Sequence, residues 1–111
     1  MTPTEREEME LVAKVAGIEY EWEGDELLTP TEFRTDVYYW NPRTDDGDAF
    51  RLMVKMDMDI NRYVQTKETS ACQFGNGVQN RAVVKIDDDP YAATREAIFQ
   101  CALECAKRRG K

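Results

Sequence analysis

"GNGVQNRAVVKIDDDPYAATREAIFQCALECAKRRG", residues 75–110, changes its apolar period halfway along, and that change decides the fold. Ahead of Asp87 the period is two: Ala82, Val84 and Ile86 fall on one face of an extended chain, and the β-branched density suits a pleated strand. After Asp89 the spacing turns helical, which places Tyr91, Ile98, Ala102 and Cys105 on a predicted inward face with Phe99 and Ala106 flanking it. Asp89 reads as the cap, Pro90 as the first helical residue, where a missing N–H costs nothing, and Gly110 as the stop. Upstream, Gly75, Asn76 and Gly77 can take positive φ and reverse the chain onto "INRYVQTKETSACQF", residues 60–74. The stretch predicts a hairpin, about 60–74 paired with 78–87, and then a helix over about 90–108.

Working back, "WNPRTDDGDAFRLMVKM", residues 40–56, starts with an Asn41-Pro42 turn and runs into Ala49, Phe50, Leu52, Met53 and Met56, one apolar face of a helix over about 46–57. Asp45 or Asp46 caps it, and the remaining carboxylate and Asp48 sit where the helix dipole favours negative charge. A first helix over about 3–16 carries Thr2 as cap, Pro3 at its first position and Glu5 three residues on, with Met9, Val12, Ala13 and Ala16 facing inward and Gly17 ending it. Between these helices, residues 18–39 alternate apolar and acidic residues only briefly, with a short strand around 18–22 and breaks at Gly24 and Pro30. The expectation there is an irregular strip whose rings, Tyr20, Trp22, Phe33, Tyr38, Tyr39 and Trp40, pack on the core rather than stack on bases.

The 111 residues suit a single domain, 1–111, with residues 1–40 as helix plus acidic, aromatic strip and 41–111 as its compact core. With 22 acidic against 15 basic residues the net charge is −7, which disfavours direct nucleic-acid binding; the tail "KRRGK" suits the negative end of a helix dipole. No apolar run reaches the roughly 20 residues of a membrane span, and the acidic start is unlike a secretory leader, so the expected location is cytoplasmic. Cys72, Cys101 and Cys105 are odd in number and read as reduced, buried thiols.

Candidate chemistry is thin. "DMDINRYVQTKE", Asp57 to Glu68, spaces Asp57, Asp59, Asn61 and Glu68 as a calcium loop would, but Arg62 stands where that loop needs glycine and no exit helix can follow. A helix end followed by a strand is the preferred reading. Asp45, Asp46 and Asp48 could join Asp57 or Asp59 around a hard cation if they converged; caps account for them without one. Cys101 and Cys105 share a helix face, yet zinc wants four ligands and the chain has no histidine. That absence also removes the ordinary base for a serine or cysteine nucleophile, so no enzyme, cofactor or metal is expected.

The stretches 40–56 and 87–102, "DDDPYAATREAIFQCA", together resemble the phage ABA sandwich domain of small tailed-phage and prophage proteins. The residues carrying the resemblance are Trp40, Asn41, Pro42, Asp45, Asp46, Gly47, Asp48, Asp89, Pro90 and Tyr91. It implies an α+β fold, a three-layer α/β/α sandwich around a small antiparallel sheet, and brings no activity, cofactor or catalytic residue with it. The expected role is a phage or prophage accessory protein in the host bacterial cytoplasm, binding a host or phage protein and acting in one form as an acidic inhibitor of a host defence system. Trp40, Asn41, Asp45, Asp46, Asp48, Asp89 and Tyr91 are its candidate interaction or structural residues. Alternatives are cation binding by the Asp45–Asp59 carboxylates, or a self-associating structural protein, a homo-oligomer.

Overall fold

A computed structural model describes residues 2–30, 37–75 and 78–109. The elements run α1 (Pro3–Val15), β1 (Glu21–Glu23), β2 (Glu26–Pro30), β3 (Val37–Tyr39), α2 (Asp46–Lys55), β4 (Met58–Tyr63), β5 (Glu68–Gly75), β6 (Val78–Lys85) and α3 (Pro90–Arg109). Among the described residues three helices accompany two antiparallel sheets, ordered β1-β2-β3 and β4-β5-β6, an α+β fold. No helix among the described residues is long and apolar enough to cross a membrane.

The helix starts are chemical. Thr2 Oγ1 accepts from the Glu5 amide at 3.1 Å, Asp45 Oδ1 from the Asp48 amide at 2.8 Å, and Asp89 Oδ1 from the Tyr91 and Ala92 amides at 2.9 and 3.2 Å. Each such cap contributes about 1 kcal/mol by satisfying an amide with no partner inside the helix. The predicted stop at Gly110 and the Asn76-Gly77 turn lie outside the described residues.

Where an irregular strip was expected, the chain builds the β1-β2-β3 sheet. Gly24, at φ +62, and Asp25 are the two residues between the paired Glu23 and Glu26, a tight hairpin whose left-handed corner glycine takes without strain. Trp22 and Leu27 pair on its inner face, and the Trp40 amide donates to the Leu27 carbonyl at 2.8 Å. Leu27 and Trp40 are buried, and Tyr20 and Trp22 pack on the core as expected. Tyr39 departs from that expectation: it pairs with Leu28 on the outer face and is 58% exposed. Phe33 lies outside the described residues.

The run expected as one strand over 60–74 is two. β4 and β5 fold back on each other through residues 64–67, with Lys67 at φ 54, and β5 then pairs with β6 in the predicted hairpin. That turn carries neither glycine nor proline, so nothing in the local pattern marks it. Asp57, at φ 54, turns the end of α2 directly into β4.

One face of the second sheet, with Met58, Ile60, Ala71, Ala82 and Val84, joins the core and receives α3. Thr94 Oγ1 lies 3.4 Å from Thr69 Oγ1, and the Cys101 thiol donates to the Asn80 carbonyl at 3.4 Å. Ala93, Ala97, Cys101, Ala102, Cys105 and Ala106 are all buried, and such small side chains let α3 approach neighbours on more than one side. Its second neighbour is α1. The layers therefore stack as sheet, α3, α1, with α3 rather than the sheet in the middle, because the apolar stripe of α1 packs against α3. Two residues expected on inward faces point outward: Phe50 is 61% and Tyr91 70% exposed, while Ala49, Leu52 and Met56 make the buried stripe of α2.

Candidate functional site

The segment 40–48 is held from three sides. Trp40 is buried; the Asn41 amide donates to Asp48 Oδ2 at 3.0 Å, and Asn41 Oδ1 accepts from the Arg43 amide at 3.0 Å, closing a side-chain turn ahead of α2. Asp48, 2% exposed, also takes Arg51 at 2.8 Å, so its burial is offset by charge and two hydrogen bonds. Asp46 pairs with Arg95 of α3 at 2.6 Å, and Arg95 Nε donates to the Arg43 carbonyl at 2.9 Å. Arg43 was not singled out in the sequence, yet it joins α1 and α3 to this turn. Its guanidinium stacks 4.0 Å from the Phe99 ring centroid and lies 3.2 Å from both Glu8 and Glu96. The Arg43 Nε contact with Glu96 has no hydrogen-bond geometry and is a charge contact only.

Asp45, Asp46 and Asp48 are thus committed to a cap and to two arginines, the cap reading of the sequence. Asp57 ends α2, while Asp59 and Asn61 lie on β4, which replaces the calcium-like loop with a paired strand. Glu68, its would-be closing ligand, faces Lys85 at 3.7 Å. Among the described residues no three Asp, Glu or Cys side chains form a group able to hold a metal ion. The three cysteines are free and buried. Burial pushes the Cys101 thiol up to about 12, with Cys72, Cys105 and Glu104 nearby adding to the shift, so it is protonated and unreactive at neutral pH.

Two candidate residues far apart in sequence border the same groove. Asp46 and Tyr91 line an open groove of about 490 Å³ between α2, α3 and β4, with Phe50 on its wall, an apolar lining of Ala49, Met53, Pro90 and Ile98, and Arg62 and Arg95 beside them. Asp89 stays at the helix cap, and Trp40 and Asn41 belong to the turn.

The larger exposed feature is electrostatic. On the outer face of the first sheet Glu21, Glu23 and Glu26 are all exposed, and Glu23 sits directly opposite Glu26. Like charges so placed repel, and residues two apart on a strand stand roughly 7 Å from each other. Glu19 and Asp25 flank them, Asp25 meeting Arg6 at 3.4 Å, and no lysine or arginine occurs in residues 15–33. The period-two spacing of Glu19, Glu21 and Glu23 around Tyr20 and Trp22 was the sequence signal for this face: rings inward, carboxylates outward. Comparison with protein-family models, curated proteins and solved structures gave no significant match.

Proposed function

We propose that the protein works by binding and not by catalysis, offering the carboxylate face of its first sheet to a basic surface on a host or phage macromolecule. The observation that carries this reading is the one-sidedness of that face, where Glu21, Glu23 and Glu26 stand together and, among the described residues, no cation pairs with them. Carboxylates scattered only for solubility would not hold Glu23 opposite Glu26, an arrangement that costs stability and is repaid when a cationic partner docks. In its specific form the protein is a phage or prophage accessory factor in the bacterial cytoplasm. There its carboxylates stand in for nucleic-acid phosphates and occupy the groove of a host defence protein. The resemblance of residues 40–56 and 87–102 to the phage ABA sandwich domain supports that setting.

The test is affinity capture from lysate of a bacterial host, comparing tagged wild type with Glu21→Lys/Glu23→Lys/Glu26→Lys at about 0.1 M and about 0.5 M salt, with mass spectrometry of what is retained. A host complex held at low salt, released at high salt and missing from the triple variant is the expected result. Retention of the same proteins by both chains overturns the assignment to this face.

A further inference from the structure

We propose that the outer face of the β4-β5-β6 sheet is the interface of a symmetric dimer, its occupant a second copy of this chain. The residues of this sheet that join the core, Met58, Ile60, Ala71, Ala82 and Val84, all fall on one face in the pairing register. The other, outer face carries Phe74, 66% exposed, Val83, 46%, and Tyr63, 41%. Arg81 reaches across β5 to within 3.5 Å of the Tyr63 hydroxyl, which places both side chains on this side, and on the strand between them the Ser70 hydroxyl is buried with no hydrogen-bond partner among the described residues.

Charge selects the occupant. In the pairing register Asp59, Cys72 and Arg81 form one row across the three strands, and Tyr63, Glu68 and Lys85 another. On this face Asp59 stands on β4 and the basic Arg81 and Lys85 on β6, with Glu68, the buried Ser70 and Cys72, and the exposed Phe74 on β5 between them. Neither Asp59 nor Arg81 has an ion-pair partner among the described residues. A two-fold axis parallel to β5 between two such faces lays β4 of one copy over β6 of the other. Rows keep their height along that axis, so the Asp59 and Arg81 positions of the two copies face each other twice, Arg81 exchanging its 3.5 Å contact with Tyr63 for the second copy's carboxylate, and Phe74 meets its own equivalent. This is the self-complementary pattern an isologous contact requires, in the aligned geometry of packed sheets about 10 Å apart. The Glu68 pair near the axis is balanced by Lys85, 3.7 Å away in its own chain. Three strands about 4.8 Å apart and six residues of about 3.4 Å span roughly 15 by 20 Å, a small patch, so the dimer forms at micromolar rather than nanomolar concentration.

Sedimentation equilibrium over about 5 to 500 μM tests the inference. Wild type is expected to pass from the 12.9 kDa chain mass to twice that mass. Asp59→Arg and Arg81→Asp should each weaken dimerisation at least tenfold, and so should Phe74→Ser. An equimolar mixture of the first two restores it, because every Asp-Arg contact is then complementary again. Monomer throughout the range, a dimer indifferent to both charge reversals, or a mixture that stays monomeric would each overturn the proposal. The carboxylate face of the first sheet is untouched by these variants, so the outcome is separable from that of the capture experiment.

Discussion

The Arg43 guanidinium lies 4.0 Å over the Phe99 ring and 3.2 Å from both Glu8 and Glu96, so one side chain ties the turn before α2 to α1 and α3. A flat, delocalised cation can stack on a ring while its edge meets two carboxylates; an ammonium cannot do both. Arg43→Lys should therefore cost about 1 kcal/mol and Arg43→Ala about 2–3 kcal/mol, since the latter leaves Glu8 and Glu96 half-buried beside each other without a cation. Urea unfolding followed by circular dichroism measures both. Equal stability of wild type and Arg43→Lys would mean that charge alone matters at this position.

Asp48 gives a second, separable prediction. Its carboxylate is 2% exposed and is the acceptor for the Asn41 amide at 3.0 Å, so Asp48→Ala strands a buried donor and should cost about 2–3 kcal/mol. Asp48→Asn keeps an acceptor there and should lose less. Asp45→Ala removes only a cap and should cost about 1 kcal/mol. The order of the three unfolding midpoints, with Asp48→Ala lowest, is the measurement.

These residues also mark how far the sequence could be read. Caps and helix periods depend on neighbours within four residues, so Thr2 and Asp89 could be assigned from local pattern alone and the cap of α2 narrowed to Asp45 or Asp46, of which Asp45 is the one. The strip at 18–39 hid a sheet because β1 and β3 are three residues long, so the brief alternation over residues 19–23 and the Gly24-Asp25 corner marked one strand and a turn but not the strands that pair with it. The turn at 64–67 carried no such clue, so two strands merged into one. Long-range matters were out of reach: that α3 would lie between sheet and α1, that Asp46 would meet Arg95, or that Phe50 and Tyr91 would face a common groove. Phe50 illustrates the limit, since helical spacing allows it on the apolar face, and only the packing of Ala49, Leu52 and Met56 decides that it points out.

Gly24 tests the first sheet independently. At φ +62 with nothing within 4 Å of an added Cβ, the position has room for a side chain but holds a backbone angle that L residues disfavour. Gly24→Ala should cost about 1 kcal/mol through strain alone, and Gly24→Asn less, because asparagine tolerates the left-handed region. Thermal unfolding of the pair distinguishes strain from contact loss: similar losses in both variants would argue that the hairpin corner is not left-handed in solution.

Alkaline pH should expose the burial of Cys101. Its thiol is raised from 9.0 to about 12 by desolvation first and by Cys72, Cys105 and Glu104 second. Between those values the unfolded chain has lost the proton that the folded chain still holds, so folding stability is full below pH 9 and falls as pH rises towards 12. The slope approaches about 1.4 kcal/mol per pH unit for this one group. Lysines and tyrosines titrate in the same range, so the decisive quantity is a difference: urea unfolding of wild type and Cys101→Ala at steps from pH 7 to pH 11, the variant lacking only this thiol. Wild type should lose stability relative to Cys101→Ala as pH passes 9, while the two run parallel below it; parallel curves throughout would place the thiol in contact with water.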